Sequence, residues 1–104
     1  MITSRLDVEN VNHPGSRRSV DARTYRTVRR ALLKLLPRTS PGLTADEIRE
    51  GLAAAVPDEL FAGGAKVGWW AKTVQLDLEA KRLIVRELRR PLRFHRGPGT
   101  RSSV

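Results

Sequence analysis

The chain has 104 residues, a formal net charge of +9 and no cysteine. That length suits one domain with a modest core, and the lack of thiols excludes a disulfide scaffold and a thiolate metal site. No stretch approaches the roughly 18 consecutive apolar residues of a membrane helix, and the opening MITSRLDVEN lacks the apolar core of a secretory signal, so a cytoplasmic protein with no membrane partner is expected.

Along residues 6–20, Leu6, Val8 and Val11 alternate loosely, and His13-Pro14-Gly15-Ser16 reads as a turn before Arg17–Val20. A weak hairpin or an extended arm is expected, and a strand here needs another sheet edge to be stable. Asp21 is placed to cap a helix over Ala22–Leu36, with Val20 stapled on Tyr25. Tyr25, Val28, Leu32 and Leu35/Leu36 recur at helical spacing, Arg23, Arg26, Arg29 and Arg30 fill the other faces, and Pro37 stops the helix. Thr44 and Glu47 have capping-box spacing, with Leu43 and Ile48 as the staple pair. The helix Ala45–Val56 would bury Ile48, Leu52 and Val56. Pro57–Gly64 reads as a connector that tucks Leu60 and Phe61 under the core and turns at Gly63-Gly64. GGAK lacks the spacing of a phosphate-binding loop.

A third helix is expected from about Val67 to Lys81, then strands at Leu83–Leu88 and Leu92–Arg96 joined through Arg89-Arg90-Pro91. The tail GPGTRSSV is small, polar and rich in Gly and Pro, hence expected to be disordered. At about 100° per residue, Val67, Trp70, Ala71, Val74 and Leu78 share one arc of the third helix, while Trp69, Thr73, Leu76 and Ala80 form an adjoining one. Only Lys72, Gln75 and Glu79 make a polar strip, too narrow for a helix that reads base edges. Two tryptophans about 100° apart cannot enter one small core from a single stripe. Either the N-terminal arm covers the second arc and both rings are core, or a partner subunit covers it, or Trp69 stacks on bases.

Three helices followed by a hairpin give the expected fold: mainly α with a small β-hairpin wing, a winged helix-turn-helix with a short N-terminal strand or arm. The organisation is an arm or hairpin over 1–20, the winged-helix domain over 21–96 and the tail over 97–104. From Leu76, LDLEAKRLIVRE resembles the third helix and first wing strand of winged-helix regulators. More closely, GGAKVGWWAKTVQLDLEAK followed by PLRFHR is similar to a family of short bacterial proteins known as a domain of unknown function, from about Glu9 to Arg96. The resemblance implies a winged-helix-like fold and brings no activity or substrate. Arg82 stands where such sequences carry Gly at the helix stop, a position that tends to need positive φ.

Chemistry is sparse. His13 and His95 lack ligand-spaced partners, so each reads as a surface histidine and no metal is expected. Asp46-Glu47 and Asp58-Glu59 suit helix starts. No nucleophile or zinc motif occurs. The chain is not expected to be an enzyme, to hold a cofactor or to take a small-molecule substrate. Charge is uneven: residues 1–41 carry nine basic and three acidic side chains (+6), residues 42–80 three and seven (−4), and residues 81–104 eight and one (+7). Basic ends suit a polyanion, although such runs also serve as solvated surface. The candidate phosphate contacts are Arg86, Arg89, Arg90, Arg93 and Arg96 on or beside the wing, Lys72 and Gln75 on the third helix, and Arg26 and Arg30 on the first. The function expected is duplex DNA binding, mainly through phosphates. The alternative is a homodimeric or protein-interaction module that uses Trp69 and Leu76, without DNA.

Overall fold

Alternation at the N-terminus does produce a hairpin. The computed structural model describes residues 4–57, 66–88 and 90–97. Strand β1 (Arg5–Glu9) pairs antiparallel with β2 (Arg17–Asp21), with Leu6 opposite Val20 and Val8 opposite Arg18. Gly15, at φ 87°, makes the reversal that a side chain would resist. Val8 and Val20 point into the core. Asp21 then caps α1 (Ala22–Leu35), accepting from the Thr24 N–H at 2.9 Å and the Thr24 hydroxyl at 2.8 Å. Those bonds hold its carboxyl below the usual aspartate range.

Strand β3 (Leu43–Thr44) runs directly into α2 (Ala45–Ala55) through a capping box: Glu47 N–H donates to Thr44 Oγ1 at 3.2 Å, and Thr44 N–H to Glu47 Oε1 at 2.8 Å. Then follow α3 (Val67–Ala80), β4 (Ile84–Glu87) and β5 (Arg93–Arg96). The second sheet is antiparallel, in the order β3-β5-β4, with Leu43 opposite Phe94 and Arg86 also opposite Phe94. The three helices meet over Val28, Leu32, Leu52, Val74 and Leu78, all fully buried. Gly42 lets β3 approach β5, since a Cβ there would sit 1.9 Å from the Phe94 carbonyl oxygen. The connector expected at Pro57–Gly64, with Asp58-Glu59, Leu60, Phe61 and the Gly63-Gly64 turn, falls outside the described residues after Pro57, as does the tail from Pro98. Gly97 belongs to the folded part: its N–H donates to the Leu83 carbonyl at 2.9 Å.

The expected fold class is corrected. The described residues are 46% helical and 24% strand, with three helices and five strands in two small antiparallel sheets, an α+β fold rather than a mainly α winged helix-turn-helix ending in a hairpin. Two elements make the difference. The N-terminal segment is a complete hairpin docked on α3, and Leu43–Thr44 adds an edge to the second sheet. A two-residue strand leaves no alternation to read, because its pairing depends on Phe94, about fifty positions away.

One buried carboxylate fastens the hairpin to the helices. Asp77, on α3, is fully buried. It accepts from the Glu9 N–H at 2.9 Å, from the Tyr25 hydroxyl of α1 and from the Lys81 ammonium one turn on. A buried carboxylate is tolerable only when paired and hydrogen-bonded, and here three elements supply the donors. Burial first, and then the bond to Asp77, push the Tyr25 hydroxyl well above its ordinary value of 10.0.

The end of α3 matches its sequence reading. Arg82 is left-handed at φ 63°. Its N–H donates to the Glu79 carbonyl at 3.0 Å, and the Leu83 N–H to the Leu78 carbonyl at 2.9 Å. These are the two bonds of a Schellman stop.

Two outcomes are expected. Arg82→Gly should relieve about 1–2 kcal/mol of left-handed strain, offset by ~0.4–1 kcal/mol of unfolded-state freedom. The net gain of roughly 0.5–1 kcal/mol should appear as a few degrees in thermal unfolding. Tyr25 concerns alkaline stability. The unfolded phenol ionises near pH 10 while the folded one stays protonated, so its contribution is complete below about pH 10 and lost as pH rises beyond it. Tyr25→Phe should flatten the fall in urea-unfolding midpoint between about pH 9 and pH 11.

Candidate functional site

Enclosure of α3 decides which side chains are available. Every residue from Val74 to Glu79 is buried. The polar strip is therefore mostly internal: only Lys72 is exposed, whereas Gln75 and Glu79 are 7% and 9% exposed. Arg86 donates Nε and Nη2 to the two Glu79 oxygens at 2.8 and 3.1 Å, and Gln75 Nε2 donates to Glu79 Oε2 at 3.1 Å. Gln75 and Arg86 thus hold the α3–β4 junction through Glu79. Leu76, expected on an interaction surface, is also buried, because the N-terminal hairpin lies against that arc of α3.

The other arginines of the β4–β5 hairpin divide. Arg93 donates Nη1 to the Gly42 carbonyl at 3.0 Å and lies 3.6 Å from Glu47, tying β5 to the start of α2. Arg96 is half-buried with its Nε enclosed, and its backbone N–H donates to the Pro37 carbonyl at 2.8 Å. Arg90 is exposed, and Arg89 lies outside the described residues. His13 is exposed as expected, but His95 is not a surface side chain: it is half-buried, with Nε2 3.6 Å from Glu87.

Helix α1 carries a more open basic surface. Arg23, Arg26, Arg30 and Lys34 are all exposed, and their spacing of three, four and four residues aligns them on one face. The row is about 16 Å long at ~1.5 Å per residue, and α1 contains no acidic residue to neutralise it. Arg26 and Arg30 were legible as candidates. Arg23 and Lys34 were missed, although the spacing of the four cations could have revealed them.

At the other end of the exposed α3 surface, the two tryptophans separate. Trp70 is core, and Trp69 is 40% exposed, edge-on to it with centroids 5.2 Å apart. The Arg18 guanidinium lies 5.7 Å from the Trp69 ring centroid, so the hairpin partly covers it. Along the exposed side of α3 lie two cavities of about 320 and 240 Å³, both lined by Gly68, Lys72 and Leu76, with Trp69 lining the smaller one. Among the described residues, no group of side chains could hold a metal ion and no helix is long and apolar enough to cross a membrane.

A family of unknown function (DUF6958) matches residues 5–94. The chain belongs to that family. The likeness carried by GWW, VQLDLEAK and PLR therefore holds at the level of the family, and membership assigns no activity. No curated protein and no solved structure matches the chain. In this family member the candidate surfaces are the α1 row and the cavities along α3.

Glu79→Gln should leave the Arg86 charge poorly compensated. Breaking a buried pair costs about 3–5 kcal/mol. Arg86 keeps 26% of its side chain in water, so a loss of roughly 2–3 kcal/mol is expected in urea unfolding.

Proposed function

We propose that this family member binds duplex DNA through its phosphates, with the α1 row as the principal contact. The observation that carries this reading is the alignment of exposed Arg23, Arg26, Arg30 and Lys34 on a helix without acidic residues. Over about 16 Å of helix, duplex DNA presents roughly ten backbone charges at ~1.7 Å each, so four cations can be engaged together. The net charge of +9 adds long-range attraction. Phosphate contacts position a protein without reading bases, and Gln75, the amide of the narrow α3 polar strip, is buried. Binding should therefore be indifferent to sequence.

A second reading, association with another protein chain, is favoured by Leu88 and Leu92 at the end of the β4–β5 hairpin, 88% and 42% exposed. Fluorescence anisotropy with random-sequence duplex at several salt concentrations separates the two. Four engaged cations give a log–log salt slope of about −3.6, and Arg26→Ala with Arg30→Ala should flatten it by about 1.8 while weakening binding to every sequence alike. Unchanged anisotropy with micromolar duplex at about 50 mM salt would exclude DNA binding. Light scattering that then shows self-association would favour the second reading.

A further inference from the structure

The two cavities along α3 share one lysine in their linings. Lys72 lines both, and it makes no hydrogen bond or ion pair among the described residues. The acids in the same linings are already paired: Asp46 lies 3.4 Å from Arg49, and Glu9 lies 3.8 Å from Lys81. Arg86 reaches the larger cavity with its guanidinium held side-on by Glu79 through Nε and Nη2. That grip leaves Nη1 to donate elsewhere and prevents the group from swinging away. Leu76, Leu92 and Phe94 supply apolar lining in the same cavity. At about 320 Å³ its volume is at the lower end of the ~300–1,000 Å³ range of small-molecule sites.

We propose that this cavity is a binding site for a small organic anion, one carboxylate or phosphate on an apolar body of one or two rings. Lys72 and Arg86 Nη1 meet the anionic head, a charge-assisted contact stronger than a neutral one. Leu76, Leu92 and Phe94 meet the body. The site is independent of the α1 row, so it stands or falls separately from DNA binding.

Two substitutions isolate the two halves of the site. Lys72→Met removes the head contact and keeps the stem. Gly68→Leu fills the space where the cavities join. A Cβ at Gly68 meets only Arg49 Cδ, at an ordinary 3.6 Å, and the helix gains a better former.

The probes are naphthalene carboxylate and naphthyl phosphate, with naphthol, acetate and inorganic phosphate as controls. Binding is read from the NMR resonances of the two tryptophan indoles and the backbone amides. Saturable shifts at the Gly68, Lys72 and Gln75 amides are expected with at least one naphthyl anion, and the preferred one identifies the head. Lys72→Met should weaken binding about tenfold or more, Gly68→Leu should abolish it, and Lys34→Met should leave it unchanged. Should Gly68→Leu fail to fold, Lys72→Met decides alone. The proposal is overturned if neither naphthyl anion gives saturable shifts at millimolar concentration, or if Lys72→Met binds as the wild type does. It is equally overturned if naphthol, acetate or inorganic phosphate binds as tightly as the naphthyl anions.

Discussion

The carboxylate of Asp77 is the constraint on which the rest of the fold depends. It is fully buried, and its donors come from β1, α1 and the last turn of α3. Leaving a buried charge unpaired costs about 3–5 kcal/mol, a large part of the ~5–15 kcal/mol by which domains are stable. The hairpin must therefore dock and Tyr25 must point inward for Asp77 to be accommodated. Docking covers Leu76, and the sheet covers the adjoining side of α3 by bringing Arg86 onto Glu79. A helix enclosed in this way has only its first turns left for contact with anything outside.

That enclosure redistributes the positive charge. Arg86 and Arg93 each meet a carboxylate from another element, so part of the basic C-terminal segment serves internal cohesion. Among the described residues, Arg26, Arg30 and Lys34 of α1 form no ion pair with a carboxylate, Arg23 lies near the Asp21 cap, and all four are exposed. Lys72 is left without an ion-pair partner among the described residues for another reason. It sits one turn before the buried half of α3, beyond the reach of Glu79, at the mouth of the cavities that Gly68 leaves open. Close backbone approach recurs at Gly42 against Phe94 and at Gly97 against the Arg82 carbonyl, where a Cβ would come within 2.7 Å.

What was legible in the chain was local. The Asp21 cap, the Thr44–Glu47 capping box and the left-handed Arg82 each depend on partners within a few residues, and each appears as its spacing implies. The helical stripes of α1 and α2 followed from period alone, ending one residue earlier than expected at Leu35 and Ala55. The inward face of Trp70 was legible from its arc on α3, whereas the exposure of Trp69 was not, because the angle left core, subunit interface and base stacking all open. Asp77, set between Leu76 and Leu78, was the clearest unread signal, a carboxylate in the middle of an apolar helix.

The sequence by itself determined the caps, the helix stops, the core stripes and the uneven charge, because these arise from contacts within a turn or from composition. Tertiary structure alone decided that Leu43–Thr44 is a strand, that Gln75, Leu76 and Glu79 are buried, and that Arg86 and Arg93 are held internally. Each of those outcomes depends on a partner brought from a distant part of the chain: Phe94, the N-terminal hairpin, Glu79 or Glu47. Periodicity says which face of a helix is apolar, but a second apolar arc or a polar strip can be covered too. Whether it is covered depends on which element docks there and whether that element brings a partner for each buried charge.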